Sequence, residues 1–311
     1  RFTDGAQSPT VLSFMGDAKI SPSMKAGFRI ELGVDENAND RLDANQIVVR
    51  HSNVWLEQAT TGRLTLGRAS QSTDGIVEIS VSNTAVAAKM LSLQPVSNAF
   101  LEGVDLPFDG GRRDLVRYDS PSLYGFVLSA SVGFGDPVQS IGPNPAWYEN
   151  KDVVDVALRY AGEFSGFRVA AGVGYRKEDR AVFLPDFNNR LSVTGGSASV
   201  LHMQSGIFAN AAYAKSDGEF LVSFGPPQKR NDLSGLHLQA GWEKNITGLG
   251  NTTVFGEWAQ LTAHNMILVA GPPPSTADHK PGMVGASLVQ SVDAAALDLY
   301  LSWRKFDLDE K

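Results

Sequence analysis

The sequence predicts an all-β protein, an antiparallel up-and-down sheet of about fourteen strands that closes into a barrel around a hole narrowed by one long loop. Three observations carry this. Segments of roughly ten residues alternate apolar and polar side chains, the period of a strand with two unlike faces. The connections between them are alternately short and long, the rhythm of a meander with one tight end and one ragged end. One connection, about forty residues between GRLTLGR (62–68) and RRDLVRYDSPSLYGFVLSASVGF (112–134), is too long for a hairpin tip, and loops of that length in compact domains are functional or disordered.

The strands follow in order. PTVLSFMGDAKI (9–20) puts Leu12 and Phe14 on one face. MKAGFRIELGV (24–34) is sharper, with Ala26, Phe28, Ile30 and Leu32 opposing Lys25, Arg29 and Glu31. IVVRHSNVWLEQAT and GRLTLGR are joined by a tight Thr-Thr-Gly turn. The long loop comes next, with too many apolar residues to be disordered. Residues 83–93 (NTAVAAKMLSL) predict a helix with Asn83 as its N-cap, and AFLEGVDLPFD (99–109) adds apolar and acidic side chains. Such a loop is best accounted for if it folds inward.

Beyond it, Phe126, Leu128, Ala130, Val132 and Phe134 face away from Ser129, Ser131 and Gly133. Val154, Val156, Leu158 and Tyr160 oppose Asp155 and Arg159; Val169, Ala171, Val173 and Tyr175 oppose Arg168, Gly172, Gly174 and Arg176. Small residues blur the faces of LSVTGGSASVLHM and GIFANAAYAK. In the segments ending at Trp242 and Trp303 the pattern is plain again: Leu236, Leu238 and Ala240 against His237 and Gln239, then Leu297, Leu299 and Leu301 against Asp298 and Ser302.

A soluble barrel would turn its apolar face inward; a barrel in lipid turns it outward and lines its lumen with charge. Aromatic residues ending the apolar stripes (Tyr160, Phe167, Tyr175, Tyr213, Trp242, Trp303) suit an interfacial girdle. A barrel this wide cannot be filled by side chains and holds water. Both points favour a transmembrane β-barrel. The bulk properties agree: 311 residues, no cysteine, no apolar run long enough for a spanning helix, and a net charge of -7 that gives no basic face for nucleic acid.

These residues resemble the general diffusion porins of Gram-negative outer membranes. The resemblance rests on GRLTLGR (62–68), the long loop after it, and VRYDSPSLYGFVLSAS (116–131), which is similar to the family's sixth and seventh strands. It implies a passive channel for small hydrophilic solutes and ions in a Gram-negative outer membrane, a homotrimer in contact with outer-membrane lipid and lipopolysaccharide, no cofactor and no nucleic-acid partner. It implies sixteen strands in the full barrel. The chain starts where the family's first long loop finishes and ends at FDLDEK, so the first and last strands are expected to be absent, with residues 1–311 a single domain and the constricting loop at about 71–111.

By the same resemblance Arg68 and Arg117 face the constriction, and Glu102 and Asp105 supply its acidic side. Arg113, Asp109 and Arg29 are further candidates. Val11 stands where the family commonly carries another pore arginine. Opposed positive wall and negative loop set a transverse field across a narrow aqueous slot, which orients dipolar solutes.

Other patterns carry less. DENANDRLDANQ (35–46) opens like a calcium loop at Asp35, Asn37 and Asn39, but Asp40 stands where glycine is needed and Gln46 where a bidentate glutamate belongs. The five histidines show no H-E-x-x-H spacing, and no G-x-S-x-G elbow or phosphate loop is present, so no enzyme chemistry is nominated. The rival readings are an outer-membrane barrel enzyme and a soluble or surface β-protein that binds carbohydrate or acts as an adhesin.

Overall fold

A computed structural model of the protein describes residues 10–35, 46–93, 96, 106, 108–135, 148–182, 189–218, 232–267 and 276–310. Fourteen strands form one antiparallel sheet in which each pairs with its sequence neighbours, in the order β1 to β14. The first seven are β1 (Thr10–Ser21), β2 (Met24–Asp35), β3 (Gln46–Gln58), β4 (Gly62–Ser70), β5 (Arg112–Asp119), β6 (Phe126–Phe134) and β7 (Tyr148–Phe164). The second seven are β8 (Phe167–Val182), β9 (Asn189–His202), β10 (Ile207–Gly218), β11 (Asp232–Lys244), β12 (Thr252–Ile267), β13 (Thr276–Val292) and β14 (Leu297–Glu310). Among the described residues β1 and β14 are the sheet's edges and no pairing joins them.

Tight connections at residues 22–23, 59–61, 120–125, 165–166, 203–206, 245–251 and 293–296 lie at one end, and the longer ones at the other. The turn at Ser165 and Gly166 shows why these ends are short. Both residues have positive φ (49° and 83°), the backbone whose twist matches that of the flanking strands in a two-residue hairpin, and Phe164 and Phe167 pair directly across it.

The faces are set by register. Val156 pairs with Tyr175 and Leu158 with Val173 on one side of the sheet, while Asp155 pairs with Arg176 on the other. The apolar side is the exposed one: Phe28, Leu128 and Leu299 keep 44 %, 49 % and 56 % of their surface open. The polar side is enclosed, with Asp155, Arg176, Glu178, Ser197, Ser199, His237, Gln239 and Glu257 buried. This inverts a soluble barrel and is what strands spanning lipid require, an apolar band facing acyl chains and backbone groups that pair with the neighbouring strand. Phe126 packs on Tyr160 at 4.7 Å beside one tight turn, and Trp242 donates its indole N–H to the Ser205 carbonyl at another. Both hold an aromatic ring at the tight-turn rim.

The long connection between β4 and β5 folds against the inner wall. Its Ile76, Val77, Met90, Leu91, Leu93, Val96 and Phe108 join Ala157, Ala212, Ala214, Leu233, Ala259, Leu261, Ala263 and Met283 in one buried cluster. Each large side chain removed from water in this way contributes about 1.5–3 kcal/mol.

The helix expected over residues 83–93 is not formed. The segment is a series of turns, in which the Thr84 carbonyl accepts from the N–H groups of both Ala87 and Ala88. Asn83 caps no helix: its N–H donates to Glu243 and its side-chain amide to Ser291 Oγ at 3.0 Å. The cause is competition for partners. Ala87 and Ala88 give their carbonyls to Arg304 and Gln239, and Leu91 gives its N–H to His237, so the wall satisfies backbone groups that a helix would satisfy internally.

Candidate pore constriction

One side of the site is the inward-folded loop. Its two legs are tied together at the root, where Gln71 N–H donates to the Gly111 carbonyl, Gly111 N–H to Gln71 Oε1, and Gly75 N–H to Asp109 Oδ1 at 2.7 Å. From there wall side chains stitch it down in sequence. Asp155 on β7 accepts from Thr73 N–H and Oγ1 at 2.6 and 2.7 Å, Ser197 and Ser199 on β9 accept from Ile79 and Val81 N–H, and Glu243 on β11 from Asn83 N–H. The approach is close because the wall is bare beneath it: a Cβ on Gly172 would meet Ile76 and Ile79 at 2.6 and 2.7 Å, and one on Gly235 would meet Leu91 and Phe108 at 2.9 Å.

Among the described residues the loop therefore lies against β6 to β14, and a cavity remains along the wall of β2 to β5. There Arg29, His51, Asn53, Trp55, Arg63 and Arg117 line a cavity of about 470 Å³. The arginines come with counterions. Arg117 binds Asp119 through Nε and Nη2, the latter at 2.7 Å, and its Nη1 donates to the carbonyls of Ser70 and Gln71. Arg63 pairs with Glu57 and lies 4.2 Å above the Trp55 ring. Arg29 and Arg50 share Glu31, which also accepts from Ser13 Oγ. The opening is thus lined by ordered ion pairs, a strongly polar surface with little net charge.

On the loop side, burial pushes the Asp109 carboxyl up to about 8, assisted by the charges of Asp74 and Glu78. Burial likewise raises Glu78, against the pull of Lys89, whose Nζ lies 3.5 Å from it. Among the described loop residues Asp74 and Glu78 are thus the acids whose charges act on Asp109.

The residues expected from sequence are distributed unevenly. Arg117 and Arg29 line the cavity. Asp109 sits at the loop root, and Arg113 reaches across Gly133 to Glu178 at 2.6 Å. Glu102, Asp105 and the calcium-like stretch through Asn37, Asn39 and Asp40 lie outside the described residues. Arg68 departs from the expectation that it faces the constriction. It pairs with Ser52 and Asp114, in step with exposed Leu64 and Leu66, and its Nε donates to the Val49 carbonyl. Arg63, five residues earlier, is in step with Thr65 and Ala69 and lines the cavity in its place.

Strand alternation alone carried the signal for Arg63. Arg50 had none, because it reaches Glu31 through an irregularity in the β2–β3 register, where Glu31 pairs with His51 and Leu32 with Val49.

A sheet with lipid-facing apolar strands and a loop that narrows an ion-lined opening defines a channel protein of an outer membrane. The profile of the family described as Gram-negative porin matches residues 3–271, and the chain belongs to that family. The protein is accordingly a porin of the bacterial outer membrane. Among solved structures it is similar to the anion-selective porin from Comamonas acidovorans, at 17 % identity and a TM-score of 0.64 over 98 % of this chain and 80 % of that one. It is also similar to the trimer form of OmpT, an outer membrane protein of Vibrio cholerae, at 11 % identity and 0.58 over 96 % and 81 %. A third similar structure is Salmonella typhi OmpF in complex with daunomycin, at 11 % identity and 0.52 over 95 % and 89 %. At these identities the likeness concerns the fold. No curated protein sequence matches the chain significantly.

Proposed function

We propose that the protein is a passive channel with no covalent chemistry, through which small hydrophilic solutes and ions diffuse down their gradients. The observation that carries this is the division of the interior. Among the described residues, a loop rooted at Gln71 and Gly111 is packed and hydrogen-bonded against β6 to β14, and a cavity along β2 to β5 is lined by Arg29, Arg63 and Arg117 with their carboxylate partners. Arg113 and Asp109 belong to the same constriction as positioning groups at the loop root, and Glu102 and Asp105 as acids on the loop. Residues 1–311 act as one domain.

Side chains that present both signs at short range reward a solute that is itself dipolar and well hydrated. A large apolar solute would have to displace water ordered by those ion pairs, and is penalised. The exposed apolar face of the sheet supports contact with outer-membrane lipid and lipopolysaccharide. The trimer form of a similar structure supports a homotrimer.

The test is planar-bilayer recording on the intact protein, together with liposome swelling in sugars of increasing size. Discrete ohmic steps and a swelling rate that falls with solute size are expected. A protein that inserts but gives no steps would return the reading to a barrel enzyme or an adhesin.

A further inference from the structure

We propose that Arg63 is a specificity-determining group of the opening: the end-on fork of its guanidinium takes the carboxylate of a passing solute, and Trp55 is the positioning residue that holds this fork in the lumen. The proposal rests on the reading of the protein as a channel and names the class of solute that its opening favours.

Strand pairing places the three side chains involved. Trp55 and Glu57 on β3 and Arg63 on β4 lie on the enclosed face of one hairpin, where Glu57 pairs directly with Arg63, and Trp55 pairs with Gly27 of β2 on its other side. Gly27 lets the indole lie down over β2, since a Cβ at that position would collide with the ring. The Arg63 guanidinium lies over the indole, with its carbon 4.2 Å from the ring centre. Such a contact fixes the plane of the guanidinium and leaves its edges to hydrogen bonds.

A guanidinium has two forks of parallel N–H bonds, one made by Nε with an Nη and one made by the two Nη atoms. In Arg63 the first is taken by Glu57 Oε2, 2.8 Å from Nε and 2.5 Å from Nη2. Among the described residues nothing takes the second, and the side chain is 42 % exposed where it lines the cavity. Arg117 differs: it gives Nε and Nη2 to Asp119 and Nη1 to the carbonyls of Ser70 and Gln71, so both of its forks are closed. Asp119, which pairs with Arg63 on the β5 side, is held by Arg117 and by Ser129 Oγ and leaves the Arg63 fork open.

A carboxylate is flat and carries two acceptor oxygens at the spacing of such a fork, so it meets Arg63 bidentately, whereas chloride meets it at a point. Glu57 offsets part of the arginine charge, which keeps the contact weak enough for the solute to leave.

Reversal potentials of the intact protein in planar bilayers, with potassium chloride on one side and potassium acetate on the other, read the acetate-to-chloride permeability ratio. Arg63→Lys keeps the charge and lacks the fork, and is expected to lower that ratio about twofold. Trp55→Leu should lower it as far, while Trp55→Phe, which keeps a ring beneath the guanidinium, retains the wild-type ratio. A ratio in Arg63→Lys equal to that of wild type overturns the carboxylate site. Leu and Phe variants that behave alike overturn the role of Trp55.

Chemical modification of wild type gives a reading that needs neither a variant nor a current. Phenylglyoxal labels accessible guanidinium groups, and acetate in place of chloride at equal ionic strength should slow the labelling of Arg63 about threefold. Exposed Arg190, followed by mass spectrometry in the same samples, should label equally in both salts. Equal labelling of Arg63 in the two salts overturns the proposal. A protein with no conductance in either salt would sink the channel reading and still leave the labelling to decide what Arg63 binds.

Discussion

Arg117 and Asp109 show how single side chains divide the work at the loop root. Arg117 is bound on one edge by Asp119 and on the other by the carbonyls of Ser70 and Gln71, so its flat, forked shape matters as much as its charge. Arg117→Lys keeps the charge and loses the fork. Charge selectivity, read from reversal potentials, is expected to stay within error of wild type, whereas stability should fall by about 1–2 kcal/mol through the carbonyl contacts and appear as a lower melting temperature. A shifted reversal potential with unchanged melting would reverse these roles.

Asp109 makes a different kind of prediction. Its carboxyl keeps its proton to about pH 8 in the folded chain against an ordinary value of 3.8, because it is buried beside Asp74 and Glu78. The folded state therefore binds more protons than the unfolded one between those values. The group's contribution is fully present at acid pH and is lost as pH rises through about 8. Asp109→Asn can still accept from Gly75 and never ionises, so thermal unfolding of the variant should depend less on pH from 5 to 9 and exceed wild type at the alkaline end. Parallel curves for the two proteins would show that Asp109 is solvated.

At the scale of the strand and the loop, the glycines of the inner wall decide whether the loop can dock. Gly172→Leu would drive a side chain into Ile76 and Ile79, and the expected result is a displaced loop, seen as faster proteolysis within residues 76–93 and noisier open-channel current. Indistinguishable digestion and noise would mean that the two isoleucines give way.

The strands were legible in the sequence for a physical reason. A wall with lipid on one side and ion pairs on the other forces a period of two, so Phe28 and Ile30 separate from Arg29 and Glu31 even in a single segment. The loop's conformation was not legible. Locally NTAVAAKMLSL is helical, and what overrides it comes from Gln239, His237 and Arg304, about 150 to 215 positions away. The site fell between. Arg117 and Arg29 were expected from the family resemblance and do line the cavity, but GRLTLGR offers arginines at both ends, and only the pairing of Thr65 with Arg117 and of Arg68 with Asp114 puts Arg63 on the cavity side.

For the whole molecule, the proposed function makes the loop the part that sets the bore. Removing residues 76–93 should raise single-channel conductance about twofold or more and admit larger sugars in swelling assays, because the barrel behind it is too wide for side chains to fill. Conductance equal to wild type would show that another segment sets the limit. The strands themselves should survive the deletion, since their pairing runs from β1 to β14 without using the loop, and far-ultraviolet circular dichroism in detergent checks this.

The bareness of the wall beneath the loop has a consequence for cargo. Under the proposed function transit would follow an eccentric duct along one flank, and the wall shielded by the loop would not meet a passing molecule. Substitutions on the lumen side of β9 to β13 that leave the docked segment in place should be silent to permeation, while a single exchange at Trp55 or Asn53 alters what is carried. Changes in nutrient preference within such a protein would accordingly concentrate on a third of its circumference, and the remainder would drift under the demands of folding alone.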